Sequence, residues 1–170
     1  PFVMAAINTR VVHRSNALSG AAYGDDFLYE EAVVTGKGGR GKRMARATQW
    51  GMGGFMVALV VPPVRWALEK FVLPKPGEGP SETAQLEGEF DLVFMGETAA
   101  GVMMRARVTG DRDPGYGSTC KMLGESAICL AKDVTRRTTK GGFWTPSTGL
   151  GDKLLKRLEA NAGLKFERVS

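Results

Sequence analysis

Thr48 to Val64 is a run of 17 residues without a charged side chain, with Trp50 and Trp66 near its two ends. It constrains the fold more than any other segment. A run this apolar has to leave water, either into a protein core or onto an apolar surface. A membrane-crossing helix needs about 20 consecutive apolar residues. Gly51, Gly53, Gly54 and the Pro62-Pro63 pair interrupt this one. Two readings stay open. One is a buried core helix. The other is a monotopic or re-entrant insertion in which Trp50, Phe55, Val57, Leu59, Val60 and Trp66 touch lipid.

Charge favours the second reading. No acidic residue lies between Glu31 and Glu69, while Lys37, Arg40, Lys42, Arg43, Arg46 and Arg65 all fall there. Aromatic ends beside a basic cluster form the pattern of an interfacial anchor. A nucleic-acid partner is not expected, because no aromatics interleave the cluster and no finger, RNA-recognition or zipper pattern occurs.

Gly36-Lys-Gly-Gly-Arg-Gly41 fits the spacing G-x-G-x-x-G. A dinucleotide site also needs a βαβ unit and an acid about 20 residues further on. The next acid is Glu69 and no parallel strand follows, so the motif reads as a basic loop. His13 is the only histidine, which argues against a histidine zinc site or a local triad. Cys120 and Cys129 fall nine residues apart in one predicted helix, on opposite faces, where they cannot bridge. Free thiols fit an intracellular setting.

The pattern predicts α+β: about four strands in one largely antiparallel sheet, with helices packed on it. Helical spacing marks 2–19, where Val3, Met4, Ile7, Val11 and Leu18 share a side. Residues 27–35 read as a strand. The turn-rich Lys75-Pro-Gly-Glu-Gly-Pro80 closes the apolar insertion (about 48–73), giving a linker at 74–80 within a single domain over 1–170. A hairpin follows near 88–95 and 102–109, with Phe90, Leu92 and Phe94 alternating on one strand. Asp113-Pro114 starts a helix to about Val134, with an apolar stripe of Tyr116, Cys120, Leu123, Ala127, Leu130 and Val134. A short helix near 149–161, a Gly163 cap and a last strand from Leu164 complete the chain. The opening at Pro1, without the build of a signal peptide, reads as a cut, an artificial boundary or the limit of an ordered region.

Two places could meet a substrate or cofactor. On the first helix, Arg14 lies in the apolar stripe with Arg10 one turn earlier and Asn8 nearby. They read either as a basic lining for an anionic ligand or as half of an ion pair with Asp25, Asp26 or Glu30. At the Asp113 helix start, Gly115 and Gly117 would let a ligand approach the backbone, and Tyr116, Thr119 and Lys121 could contact it. Lys121 and Glu125, at i and i+4, read as a surface pair. No catalytic pair and no metal site is expected.

The order of Phe2-Val-Met-Ala-Ala-Ile-Asn-Thr-Arg, Arg14-Ser-Asn-Ala-Leu, Tyr29-Glu-Glu, Lys75-Pro-Gly-Glu-Gly-Pro, Asp113-Pro-Gly-Tyr and Gly141-Gly resembles the second domain of the saccharopine dehydrogenase-like oxidoreductases. That family includes lipid-droplet-type proteins and bacterial trans-acting enoyl reductases. The resemblance implies a substrate and assembly domain that follows a Rossmann half. That half is absent from this chain. NAD or NADP would then bind only with the missing N-terminal half, which becomes the expected partner. A homo-oligomer or larger assembly is expected too. A lipid surface is a further expected partner, because lipid-droplet-type members carry an apolar stretch before a similar linker. The alternative is a non-enzymatic scaffold or membrane-associated subunit that kept the fold.

Overall fold

The computed structural model describes residues 2–75 and 77–169; Pro1 and Pro76 of the start and linker expectations lie outside them. The chain divides into two compact units, Pro1–Gly79 and Pro80–Ser170.

The first unit is helical. Helix α1 (Ala5–Leu18) ends where Ser19, Gly20 and Ala21 turn back on its last carbonyls. Helix α2 (Gly38–Val60) stops because Val61 precedes proline and is pushed into extended geometry, with φ −86° and ψ 110°. Pro62 then opens helix α3 (Pro62–Phe71), where its missing N–H costs nothing. The two helices meet at a bend of 107°. The strand expected at 27–35 does not form. No described segment pairs with it, and β-propensity without a ladder partner does not make a strand.

The glycine-rich motif is consumed by its own turn. Gly36 and Gly38 have φ of 95° and 67°. A Cβ on Gly41 would clash with the Gly36 carbonyl oxygen, so glycine is required for the loop to fold onto the first turn of α2. The Thr35 hydroxyl donates to the Gly41 carbonyl at 3.2 Å. The loop expected at Gly36–Gly41 is therefore partly helix: α2 starts at Gly38.

The second unit is α+β. After a short helix α4 (Glu82–Glu87), capped by the Ser81 hydroxyl, come strands β1 (Phe90–Glu97) and β2 (Met103–Gly110). Helix α5 (Gly117–Lys132), a turn α6 (Pro146–Gly149), helix α7 (Gly151–Asn161) and strand β3 (Leu164–Val169) follow. The sheet is antiparallel in the order β1-β2-β3. Three strands stand among the described residues where about four are expected, the missing one being 27–35. The register puts Phe90, Gly110 and Leu164 side by side, then Leu92, Val108 and Phe166. The opposite face carries Asp91, Arg107 and Glu167 and is held by an Arg107–Asp91 ion pair at 2.7 Å. The expected hairpin with one apolar face is thus present.

Cys129, Leu154, Leu158, Ala162 and Leu164 form the core, with Phe90, Met122, Val134, Leu150 and Phe166 packed on it. The stripe predicted for α5 faces outward, except that Val134 just past its end packs on the core. Cys129 is 0% exposed, whereas Leu123 is 70% and Leu130 62% exposed. The inward face is Ser118, Met122, Glu125 and Cys129, joined by the capping residue Asp133. Arg157 of α7 explains the inversion. Its guanidinium donates to Glu125 at 2.9 Å and to the Asp133 carboxylate, and Asn161 adds a 3.2 Å bond to Glu125. Lys153 donates to the Asp133 carbonyl at 2.6 Å. Polar anchors and small side chains let the helices approach closely, and the bulky leucines are left outside.

Candidate functional site

Among the described residues, the polar cluster facing an open depression lies where α1 meets the segment 27–31. Asn16, buried at the end of α1, donates its amide to the Gly24 carbonyl at 2.9 Å and accepts from the Tyr23 N–H at 2.9 Å. That clamp turns the chain back along the helix. Phe27 then stacks between Tyr23 and Tyr29, at centroid distances of 5.1 and 6.5 Å, with His13 edge-on at 5.7 Å. Tyr29 and Glu31 both come to α1. The Tyr29 hydroxyl donates to Glu31 Oε1 at 2.6 Å, and the Asn8 amide donates to Oε2 at 3.0 Å.

Both carboxylate oxygens of Glu31 are therefore held. Partial burial, then the hydrogen bond and charge of Glu31, push the Tyr29 phenol up to about 12. Its proton stays in place throughout the neutral range. Ala5, Ala6, Thr9, Arg10, Tyr29, Glu30 and Glu31 line the depression, of about 420 Å³. The arrangement offers an exposed cation, a clamped carboxylate and a protonated phenol, a set suited to orienting a polar or anionic group at a surface.

The structure brings together two of the expected residues, Asn8 and Arg10, and adds Tyr29 and Glu31, which the sequence reading missed. The available signal was the alternation of Tyr29 and Glu31 in the strand expected at 27–35. Arg14 departs from expectation in its surroundings. It is exposed, and so are Ile7 and Val11 beside it, so no buried stripe surrounds it. It is not without a partner.

The Asp113 start behaves as a cap, though the helix proper begins at Gly117. The Asp113 carboxylate accepts from the N–H groups of Gly115 (3.2 Å), Tyr116 (2.7 Å) and Gly117 (3.3 Å), which hold it below the usual carboxylate range. The donors that would greet an anion are thus engaged by the chain's own aspartate. Thr119 donates to the Pro114 carbonyl at 2.6 Å, and Tyr116 is exposed. Lys121 pairs with Asp111 at 3.0 Å, not with Glu125, which belongs to Arg157. A second depression, of about 500 Å³, lies at the end of α5 between Leu130, Val134, Arg136, Lys140 and Trp144. Among the described residues no group of three His, Cys, Asp or Glu could hold a metal ion. Cys120 and Cys129 are unbridged, the first exposed and the second buried.

Trp50, Phe55, Val57, Val60 and Trp66 are exposed on α2 and α3; Leu59 is half-buried. No single helix among the described residues is long and apolar enough to cross a membrane.

The chain is similar over nearly its full length to proteins named as trans-acting enoyl reductases. It is 38% identical over 169 residues to a candidate trans-acting enoyl reductase of Mycobacterium tuberculosis, matching 98% of this chain and 40% of that protein. It is 36% identical over 160 residues to the trans-acting enoyl reductase of Mycobacterium bovis (92% of this chain, 38% of the relative). The enzyme of that name from Mycobacterium ulcerans is 36% identical over 163 residues (92% and 38%). The chain spans about 40% of the length of the curated relatives it matches. No protein-family model matches the chain. No solved structure matches it either.

Proposed function

We propose that this chain is the substrate-binding and assembly part of a longer NAD(P)-dependent enoyl reductase of the saccharopine dehydrogenase-like kind. The observation that carries the reading is the 38% identity running across 169 residues of a protein bearing that activity in its name. The same alignment covers only 40% of that protein, which leaves room for a separate nucleotide-binding part. This chain's own glycine motif does not fit a dinucleotide. The segment before it is not a strand, and Gly41 is occupied by the close approach of Gly36. The nicotinamide cofactor therefore belongs to the rest of the protein, and no step through it is assigned to residues here.

The role left to this chain is to bind and orient. The depression beside α1 suits the polar end of an acyl substrate, with Arg10 as the cation, Tyr29 as hydrogen-bonding phenol and Asn8 holding Glu31 in place. Tyr116, Thr119 and Lys121 remain candidates for a second contact. For assembly, the sheet offers Leu92, Phe94 and Met104, which share one face and stay exposed. The test is a kinetic assay of the full-length protein with reduced nicotinamide cofactor and an α,β-unsaturated acyl thioester. The reading expects cofactor oxidation that depends on the enoyl substrate, with KM raised in Arg10→Ala. An absence of turnover with either NADH or NADPH across acyl chain lengths would remove it.

A further inference from the structure

We propose that the bent pair α2–α3 is a monotopic anchor that seats this protein on an anionic phospholipid surface without crossing it. The inference does not depend on the enzymatic reading above. Its first support is that apolar and basic residues are sorted along α2 rather than around it. Arg40, Lys42, Arg43 and Arg46 occupy the first turns, and from Thr48 to Val60 no charge occurs. That apolar part is about 20 Å long at 1.5 Å per residue, against about 30 Å for a hydrocarbon core. It reaches into one leaflet and stops. The 107° bend at Val61-Pro62 then turns the chain away from its inward course.

The second support is exposure. Trp50 and Val60 are each 79% exposed, Phe71 73% and Trp66 58%, and Gly41 is the one buried residue of α2 among those described. A core helix would bury these side chains. The third is the way α3 handles its charges. Arg65 and Glu69 neutralise one another at 2.7 Å, and the Lys70 ammonium sits over the rings of Trp66 (4.8 Å) and Phe71 (5.4 Å). An ammonium carried beside two aromatic faces is how a side chain keeps its charge at an apolar boundary. The cations of the first turns have no acid between Glu31 and Glu69 to answer them, and an anionic headgroup layer supplies the complement. That complement distinguishes a lipid surface from a neutral apolar protein face.

The test is flotation of the full-length protein with vesicles of phosphatidylcholine mixed with phosphatidylglycerol, against phosphatidylcholine alone. The proposal expects co-flotation with the anionic vesicles and loss of it in Val57→Glu/Val60→Glu. Arg40→Glu/Arg43→Glu should weaken partition by about tenfold or more while leaving the circular dichroism spectrum unchanged. No flotation with anionic vesicles would overturn it, as would equal flotation of the Val57/Val60 variant. Should that variant unfold in the absence of lipid, the face is covered by protein, and the proposal falls as well.

Discussion

The two units place their apolar residues in opposite ways. In Pro80–Ser170, Cys129, Leu154, Leu158, Ala162 and Leu164 are buried and a sheet rests on two helices. In Pro1–Gly79 the buried residues among those described are Asn16 and Gly41, while tryptophans, phenylalanine and valines face outward. Hydrophobic side chains are thus buried within one unit and left exposed in the other. Hydrophobic burial is the main favourable term in folding, so the second unit has an internal source of stability that the described residues of the first lack. Organisation shows the same division. The polar links of the second unit run between helices, through Arg157 to Glu125 and Asp133, whereas those of the first tie one helix to a non-helical segment.

The largest expected effect lies in the core. Leu158→Ala should cost about 2–5 kcal/mol in urea unfolding of the second unit. Val57→Ala in the first should stay within about 0.5 kcal/mol, as for an exposed site. Equal costs would erase the contrast. Next comes Gly163, which ends α7 with φ 72° and whose added Cβ would strike the Asp111 carboxylate. Gly163→Ala should cost at least about 1–2 kcal/mol for the left-handed conformation, read as a lower urea midpoint. Gly54→Ala in α2, with open space around it, should be neutral or slightly stabilising.

Smaller effects come from titration. Asp133 is held below its usual range, first by its hydrogen bond from Arg157. A depressed carboxylate contributes stability that is present above its unfolded value, about 3.9, and is lost as pH falls through the lower folded value. Thermal melting of the second unit should therefore weaken only below about pH 4, and Asp133→Asn should flatten that fall. Tyr29 works in the opposite direction. Raised to about 12, its contribution is complete below the ordinary phenol value and is lost as pH rises through 12. Ultraviolet titration should show that late step, and Glu31→Gln should lower its midpoint only in part, since burial is the larger cause. A phenol that titrates normally would dissolve the cluster at α1.

The hairpin, α7, its Gly163 cap and the last strand were legible because local rules and tertiary contacts agree there. Phe90, Leu92 and Phe94 alternate, and the register keeps them on the apolar face. Residues 27–35 have strand-like composition, but strand formation needs a partner that sequence periodicity cannot supply. Apolar size does not reveal which face of α5 is buried. Glu125 and Asp133, spaced to meet one arginine, decide which side faces α7. The same limit hid the α1 site. Asn8 and Arg10 stand out on a helix, but that Glu31 reaches Asn8 depends on the turn fixed by Asn16. The Lys121–Asp111 pair was hidden for the same reason, since it joins a helix to a residue ahead of it rather than to the next turn.

Native-state hydrogen exchange of the full-length protein, with and without anionic vesicles, tests the contrast most directly. The account predicts slow exchange in α5, α7 and the sheet under both conditions, with α2 and α3 exchanging rapidly alone and gaining protection when vesicles are added. Strong protection of α2 and α3 without lipid, equal to that of α5 and α7, would contradict it.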